Sequence, residues 1–321
     1  MGEGTSTCVI VNPAAQGGRV GRRLEAVEAR IRSQLGDLTL HVTDSAGHGV
    51  QLAREAVLAG STRLISIGGD GTHNEVVNGI MEAEPSPAAI TLGLVNAGTG
   101  GDFSRMLTSH GSLEEGIDTL GSAVAVPIDV GWVAFTSDDG SAREGYFLNM
   151  ASLGIAGLVD RIVNAGSKML GGKATFFIAT LRALRVYTPA RVRLFLDGEE
   201  DGIHSITNIM VCNGQYAGGG MHFAPGARLD DGLFDVVTVS HESALRTLSL
   251  ASRVYSGQHV HERDIRITQA SHVRVEPVSL DPAWMDVDGE SPGQIPARFR
   301  VIPGAIQLLG PRADALVGEP A

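Results

Sequence analysis

The chain has 321 residues, of which 43% are hydrophobic and 19% are charged, so its composition is that of a globular protein and excludes a disordered chain. The 25 basic and 36 acidic residues give a formal net charge of −11, which argues against nucleic acid as a partner. Because the two cysteines are far apart and no apolar run approaches the roughly 20 residues of a membrane-spanning helix, we expect a cytoplasmic protein. The sequence carries no signal for an oligomeric state.

The first 125 residues alternate β-branched runs with helical patterns. Strands are predicted for Thr7 to Val11, Leu38 to Val42, Arg63 to Ile67 and Ile90 to Val95. Helices are predicted for Arg19 to Gln34, where Val20, Leu24, Val27 and Ile31 form one apolar stripe, and for Val50 to Leu58. Alternating strands and helices favour a parallel sheet with flanking helices, in which ligands bind at the carboxyl ends of the strands.

The pattern changes after Val126 to short β-rich runs. Strands are predicted for Ile128 to Phe135, Tyr146 to Asn149, Val192 to Leu196, Ile206 to Val211 and Leu233 to Val239. Two helical segments interrupt them, around Lys173 to Val186 and Ser243 to Tyr255. We therefore expect an α/β domain at residues 1–125 and a mainly β domain at residues 126–321, with the last residues able to pack back on the first domain.

Three glycine-bearing turns each follow a predicted strand, namely Asn12 to Gly18, Gly68 to Thr72 and Gly98 to Gly101. Glycines there allow backbone N–H groups to approach phosphate oxygens, and a following helix N-terminus adds favourable partial charge. Each turn alone is equally well explained as an ordinary tight turn, but three at one sheet edge favour a nucleotide polyphosphate. The GxxxxGK[ST] motif is absent, which excludes a P-loop enzyme.

Asp70 lies in the middle of the GGDGT turn. A carboxylate there would repel phosphate unless a cation intervened, so the sequence predicts a divalent metal, Mg²⁺ with retained waters. The alternative is that Asp70 caps the helix that follows.

GGDGTHNEVVNGI at Gly68 to Ile80, with NPAAQGG before it and AGTGGDFSR after it, resembles the catalytic domain of the diacylglycerol kinase and sphingosine kinase superfamily. NMASLGIAG, VCNGQYAGGGMHFAPGARLDDGLFDV and DVDGE are similar to motifs of the soluble bacterial lipid kinases of that family. The resemblance therefore covers almost the whole chain. GGDGT alone also occurs in NAD kinases and phosphofructokinases, so the ordered set of motifs is the specific signal.

The resemblance implies transfer of the γ-phosphoryl of ATP to a lipid hydroxyl in a cleft between the two domains. It assigns the nucleotide lining to Asn12, Pro13, Ala14, Ala15, Gln16, Thr43, Gly69, Asp70, Gly71, Thr72, His73, Asn74, Glu75 and Thr99. Asp70 would act through water on Mg²⁺, and Asp129 would support Asp70 from the second domain. Glu290 would be the general base, although DGE is also good turn sequence and Glu290 has the alternative of a solvated turn residue.

The resemblance also implies a second metal at ARLDDGLFD, bound by the Asp231 carboxylate and the carbonyls of Arg228 and Leu233. An ordinary Asp-Gly turn is the alternative.

The loop that the family writes as PxGTxND is NAGTGGD in this chain, so Asn96 replaces proline and Gly101 replaces asparagine. Loss of the amide at 101 removes hydrogen bonds and adds flexibility, which predicts lower activity or nucleotide affinity.

Seven basic residues and no acidic residue lie between Arg161 and Arg193; they are Arg161, Lys168, Lys173, Arg182, Arg185, Arg191 and Arg193. Phe177, Leu181 and Leu184 lie at helical spacing beside two of the arginines. We expect either transient contact with an anionic membrane surface at the inner face of the membrane, or a core-packed helix with solvated arginines.

These observations predict a kinase that uses ATP and Mg²⁺ to phosphorylate diacylglycerol or a related lipid alcohol. One alternative is an NAD kinase or other small-molecule kinase that shares GGDGT. A second is a catalytically weak lipid or nucleotide sensor, suggested by Gly101.

Overall fold

The structure is a computed structural model that describes residues 6–83, 87–98, 101–107, 112–165, 172–240 and 244–310. The chain divides into two compact units. Unit 1 contains the described residues up to Val130, Leu229–Asp231 and the described residues from Ile302 onward. Unit 2 contains Gly131–Arg228 and Gly232–Val301.

Seventeen strands are present in the described residues. They are β1 (Thr7–Val11), β2 (Thr39–Val42), β3 (Arg63–Gly68), β4 (Thr91–Asn96), β5 (Val124–Ser137), β6 (Ala142–Phe147), β7 (Met150–Gly154), β8 (Ala190–Leu196), β9 (Glu199–Ile206), β10 (Asn208–Cys212), β11 (Tyr216–Ala217), β12 (Met221–His222), β13 (Phe234–Val239), β14 (Ile265–Ala270), β15 (His272–Pro277), β16 (Met285–Val287) and β17 (Gly293–Gly310). The helices are α1 (Ala15–Arg22), α2 (Leu24–Leu35), α3 (His48–Leu58), α4 (Asp70–Ala83), α5 (Leu113–Thr119), α6 (Ile155–Ala165), α7 (Gly172–Val186) and α8 (Ala244–Val254). Short 3₁₀ helices span Pro87–Ala89, Phe103–Leu107 and Gln258–His261.

Unit 1 contains the predicted parallel sheet, in the order β2-β1-β3-β4, and the end of β17 adds a further parallel strand beside β4 at Gln307–Leu309. The apolar stripe predicted for the first helix packs as expected: Val20, Val27 and Ile31 are buried against β1 and β3. Burial of such side chains stabilises the sheet by roughly 1.5–3 kcal/mol each.

The prediction of one continuous helix from Arg19 to Gln34 was wrong, because the chain forms α1 and α2 with a break at Arg23, where φ is −119°. The segment before the break opens with three consecutive residues, Gln16 to Gly18, that have positive φ. Two of these are glycines, which adopt left-handed backbone at no steric cost.

Unit 2 is mainly β, as predicted. One antiparallel sheet has the order β14-β13-β10-β7-β16, while β15 pairs with β8 and with the Ala297–Arg300 part of β17. Its core is centred on three fully buried phenylalanines: the Phe147 ring stacks on Phe234 at 5.6 Å and meets Phe299 edge-on at 6.3 Å. Such aromatic pairs add stability beyond their buried area.

Two predicted strands of unit 2 are divided in the structure. The strand predicted for Tyr146 to Asn149 is interrupted, because β6 ends at Phe147 and β7 begins at Met150. The strand predicted for Ile206 to Val211 is interrupted at Thr207, between β9 and β10. The helix α6 was not predicted from the sequence. In the described part of the chain, no helix combines the length and the apolar character needed to cross a membrane.

Candidate functional site

The glycine-bearing turns of unit 1 begin at one edge of its parallel sheet. Val11 pairs with Ile67, and Gly68 pairs with Asn96, so the first, second and third turns leave β1, β3 and β4 at matching levels. The backbone joins them further: the Asn12 N–H donates to the Ile67 carbonyl at 2.9 Å, and the Ala97 N–H donates to the Gly68 carbonyl at 2.6 Å. The sheet register therefore assembles three loops from separate parts of the sequence.

The side chain of Asn12 connects the first loop to the second. Its Nδ2 donates to Thr72 Oγ1 at 3.0 Å, while its Oδ1 accepts from the Ala14 N–H at 2.9 Å. Because Thr72 is buried, this hydrogen bond satisfies a hydroxyl group whose burial without a partner would be unfavourable. Asn12 thus fixes the loop that contains Pro13, Ala14 and Ala15 against the start of α4.

Thr43 directly follows β2 and is buried at the same sheet edge, where its N–H donates to the Val11 carbonyl at 2.9 Å. Gln16, in contrast, is exposed in the left-handed segment of the first loop. An exposed left-handed loop above a strand end leaves backbone N–H groups accessible to an anion.

Glu75, in α4, contacts the start of α3. Its carboxylate accepts from the N–H groups of Gly47 at 2.8 Å and of Gly49 at 2.9 Å. The first N–H groups of a helix have no partner within the helix, and a carboxylate is favoured there by the helix dipole. Glu75 therefore has a clear role inside the protein, namely to hold α3 against α4.

His73 is only 1% exposed, and its Nδ1 lies 2.8 Å from Ser66 Oγ in β3. Burial lowers its pKa to about 4, so the ring is neutral at pH 7. Its neighbours differ: Gly71 is exposed and Asn74 is partly buried at the start of the same helix. Of these three predicted nucleotide residues, His73 faces the core of unit 1.

Asp70 is the first residue of α4. Its Oδ2 accepts from the Asp102 N–H at 3.3 Å, whereas its buried Oδ1 has no hydrogen-bond partner in the described residues. A buried carboxylate oxygen without a donor is costly, and a divalent cation satisfies it. Asp70 therefore fits a hydrated Mg²⁺ ion. No cluster of three acidic, histidine or cysteine side chains able to hold a metal occurs in the part of the chain that is described.

The second and third loops approach one another through glycines. A Cβ on Gly98 would lie 2.7 Å from the Cα of Gly69, so a side chain at 98 has no room. Thr99, predicted to contact the nucleotide, lies outside the described residues, as does Gly100. The described parts of the two loops meet backbone to backbone.

Asp129 belongs to unit 1 and is only 2% exposed. Its Oδ1 accepts from the Gly304 N–H at 2.8 Å, and its own N–H donates to the Leu229 carbonyl at 2.6 Å. Asp129 thus ties together three separate segments of unit 1.

Glu290, in unit 2, is exposed and follows a two-residue turn. Val287 and Glu290 exchange backbone hydrogen bonds of 2.8 and 3.0 Å, and the two residues between them, Asp288 and Gly289, both have positive φ. This is the backbone of a tight hairpin turn that favours Asp-Gly. The turn presents the Glu290 carboxylate to solvent.

The Asp288 carboxylate anchors that turn, a role that the sequence analysis missed. It accepts from three successive N–H groups, those of Leu148, Asn149 and Met150, at 2.8 to 3.1 Å. These are the residues at which the predicted strand of unit 2 is interrupted. The interruption turns three N–H groups toward one carboxylate, and the turn before Glu290 is fixed by them.

Asp231, predicted to bind a second metal, is exposed in the segment between β12 and β13. Arg228 and Leu233, on either side, are partly buried. The second metal site stays a prediction.

Unit 2 also contains a buried carboxyl pair that the sequence did not reveal. Asp160 in α6 hydrogen-bonds Asp286 in β16, and burial raises the pKa of Asp160 to about 6. Burial and the neighbouring Asp160 carboxyl raise the pKa of Asp286 well above its usual range. The pair therefore retains a proton well above the pH at which an isolated aspartate loses it.

Known proteins resemble both parts of the chain. Residues 6–133 match the family model of the diacylglycerol kinase catalytic domain, and residues 149–310 match that of the YegS C-terminal NAD kinase beta sandwich-like domain. A probable lipid kinase YegS-like of Chromohalobacter salexigens is 35% identical over 92% of this chain and 90% of that protein. A diacylglycerol kinase of Bacillus subtilis is 28% identical over 96% of this chain and 97% of that protein.

Solved structures agree on the fold. A diacylglycerol kinase from Bacillus anthracis matches with a TM-score of 0.71 and 21% identity, covering 98% of this chain and 99% of that one. An NAD kinase from Archaeoglobus fulgidus in complex with ATP matches with a TM-score of 0.52 and 13% identity, covering 97% of this chain and 95% of that one. The family matches confirm the resemblance found in the motifs, and the chain belongs to the family of diacylglycerol kinases and YegS-like lipid kinases.

Proposed function

We propose that this kinase transfers the γ-phosphoryl group of ATP to the hydroxyl of diacylglycerol or a related lipid alcohol, with Mg²⁺ as the metal. The observation that carries the proposal is Asp70, whose buried Oδ1 has no hydrogen-bond partner in the described residues, at the edge where three loops of unit 1 meet. Its relatives named diacylglycerol kinase support the choice of acceptor.

The first loop and the start of α4 would bind the triphosphate. The exposed left-handed residues Gln16 and Gly17 would offer N–H groups, and Asn12 and Thr72 hold this loop in position by their mutual hydrogen bond. Glu75 binds the N–H groups at the start of α3, and Thr43 follows the end of β2 at the same edge of the sheet. Asp70 would hold Mg²⁺ through water, and the metal supplies neutralisation of the charge on the transferring phosphoryl group.

Glu290 would accept the proton of the lipid hydroxyl. The exposed Glu290 carboxylate is available to substrate, and the Asp288 carboxylate fixes the backbone of the turn before it. Phosphoryl transfer depends mainly on positioning, with a carboxylate placed to accept the hydroxyl proton. Asp129 would support the metal-binding carboxylate, and Asp231 with the Arg228 and Leu233 carbonyls would bind a second cation.

We also propose that α7 contacts the anionic membrane surface from which the lipid comes. Ala179 and Ala183 of α7 are buried against α6, whereas Leu181, Arg182 and Arg185 are exposed. Exposed leucine beside arginine suits a membrane interface. Arg161, at one end of the basic segment, is instead engaged by Asp138 and by the Trp284 ring. The side chains of Phe177, Lys168 and Lys173 lie outside the described residues.

The test of the reaction is transfer of labelled γ-phosphate from ATP with Mg²⁺ to diacylglycerol, monoacylglycerol, ceramide and a sphingoid base in mixed micelles. Label in a lipid would establish the reaction and identify the acceptor. NAD is the water-soluble control: label in NADP would overturn the lipid acceptor, and ATP binding without label in any acceptor would favour a sensor.

The membrane contact is tested separately by sedimentation with vesicles. Wild-type protein is expected to sediment with phosphatidylcholine vesicles only when phosphatidylglycerol is added, and the Arg182→Glu/Arg185→Glu variant is expected to stay in solution. Arg263→Glu/Arg298→Glu, which makes the same change of charge at two exposed arginines outside α7, is the matched control. Equal sedimentation of the two variants would contradict contact through α7.

A further inference from the structure

The third loop of unit 1 contains a close approach between Asn96 and Gly101. Gly101 has a φ of +62°, and a Cβ built on it would lie only 2.2 Å from Asn96 Nδ2 and 3.1 Å from Asn96 Cγ. Real non-bonded atoms do not come this close, so the Asn96 amide occupies the space in which a side chain at 101 would begin.

The other end of the same amide braces the loop. Asn96 Oδ1 accepts from the Gly98 N–H at 2.8 Å. Gly98 is in turn packed against Gly69, which directly precedes Asp70. The position of the Asn96 side chain therefore determines how the third loop packs against the loop that carries the metal-binding carboxylate.

The loop then returns to Asp70. Immediately after Gly101, the Asp102 N–H donates to Asp70 Oδ2 at 3.3 Å. Asp70 Oδ2 is therefore hydrogen-bonded, whereas Asp70 Oδ1 has no hydrogen-bond partner in the described residues. A shift of residues 101 and 102 would thus move a donor away from Asp70, and small displacements of such groups lower catalytic rates strongly.

From these contacts we infer that Asn96 is a positioning residue of the nucleotide site, and that residue 101 is glycine because the Asn96 amide needs its space. The two departures from the family's loop pattern are then one coupled change: the amide comes from the end of β4 instead of from position 101. The expected effect on nucleotide affinity rests on the proposed function, whereas the packing of Asn96 against Gly101 does not depend on it.

The experiment compares Asn96→Ala, Gly101→Ala and the double variant in Mg·ATP affinity by calorimetry and in the urea midpoint of unfolding. Asn96→Ala should weaken affinity about fivefold through one lost hydrogen bond. Gly101→Ala should weaken it about tenfold or more, because it displaces the amide and strains the backbone. In the Asn96→Ala background, where the space is vacant, the added Gly101→Ala change should cost no more than about twofold.

A matched control separates the clash from backbone strain. Gly140, in the exposed turn between β5 and β6, has a φ of +82° and nothing within 4 Å of a built Cβ, so Gly140→Ala carries the strain alone. Gly101→Ala should lower the urea midpoint more than Gly140→Ala does. Equal effects of these two, or additive effects of Asn96→Ala and Gly101→Ala, would overturn the pairing.

The same measurements distinguish failure of the inference from failure of the proposed function. If wild-type protein bound no ATP, the proposed function and the positioning role would both fall, whereas the urea midpoints would still decide whether Asn96 and Gly101 compete for space. If wild-type protein bound ATP and Asn96→Ala bound it equally well, the positioning role alone would be refuted.

Discussion

The carboxylate of Glu75 in α4 accepts the N–H of Gly49 at the start of α3 at 2.9 Å, and a Cβ on Gly49 would lie within 2.6 Å of the same carboxylate. With the second bond from Gly47, the carboxylate takes up two helix-terminal donors of α3. Glu75 therefore has a structural role, which is to hold the start of α3 against α4.

Replacement of Glu75 by alanine should therefore lower the free energy of unfolding. Two backbone N–H groups would lose a charged acceptor, which costs about 2–3 kcal/mol. Urea unfolding measures the loss, and the KM for ATP should rise because Thr43 and the start of α3 shift. Glu82→Ala, an exposed position on the same helix, should change stability by less than about 0.5 kcal/mol. Equal stability of the two variants would contradict the bracing role.

Asp70→Asn should abolish most phosphoryl transfer while the protein stays folded. The amide keeps the shape of the side chain but supplies no negative charge to a cation, so we expect kcat to fall about 100-fold to 1,000-fold. Asp118→Asn is the control, since that carboxylate forms an exposed ion pair with Arg30. Unfolding curves of both variants check the fold. An Asp70→Asn variant with near wild-type turnover would remove Asp70 from the mechanism.

Glu290→Gln should separate binding from chemistry. The side chain lies on a turn held by backbone and Asp288 contacts that the change does not touch, so Mg·ATP affinity should be preserved. Loss of the base should lower kcat by about 100-fold. Initial rates with saturating lipid measure the effect, with Glu144→Gln as an exposed control in unit 2. A large rise in the KM for ATP with unchanged kcat would show that Glu290 is not the base.

The Asp160–Asp286 pair predicts a dependence of stability on pH. In the folded protein the pKa of Asp160 is about 6, against an ordinary value of 3.8, and that of Asp286 is also raised. The folded state therefore holds protons that the unfolded chain has released, and the free energy of unfolding falls as pH rises from about 4 through 6 and above. A pKa raised by about two units in the folded state corresponds to a change of about 3 kcal/mol in the free energy of unfolding.

Asp286→Asn removes one carboxyl of the pair and should flatten this dependence. Urea unfolding at pH 5 and pH 8 should give a smaller difference for the variant than for wild type, with higher stability than wild type at pH 8. Asp281→Asn, at an exposed position in unit 2, should leave the difference unchanged. A wild-type protein equally stable at both values of pH would disprove the shared proton.

The sequence predicted the parts of unit 1 that follow from periodicity. Parallel strands place their carboxyl ends at one edge, so the three glycine-bearing loops were expected together, and the register Gly68 with Asn96 confirms it. The burial of His73 was also within reach: it precedes Val76, Val77 and Ile80 at helical spacing, and all four are buried. The resemblance assigned His73 to the nucleotide lining from its place in the motif, although the helical spacing puts it on the buried face of α4.

Other features depend on distances that no local pattern contains. Asp288 meets Leu148 to Met150 across about 140 positions of sequence, and the partner of Asp160 is similarly remote. The competition between Asn96 and Gly101 depends on which way one side chain turns over a loop. Such relationships are visible only in the folded structure, since they are determined by tertiary packing rather than by local secondary-structure propensity.

The last strand has a consequence for dissecting the protein. Residues Gln307–Leu309 of β17 pair with Thr91 to Gly93 of β4, so the sheet of unit 1 is completed by a strand that follows most of unit 2 in the sequence. A fragment cut after Val130 would lack this strand and expose the edge of β4, whose apolar residues make it prone to pair with other chains. Expression of unit 1 alone should therefore include the segment from Ile302 to Gly310, joined by a linker or by circular permutation.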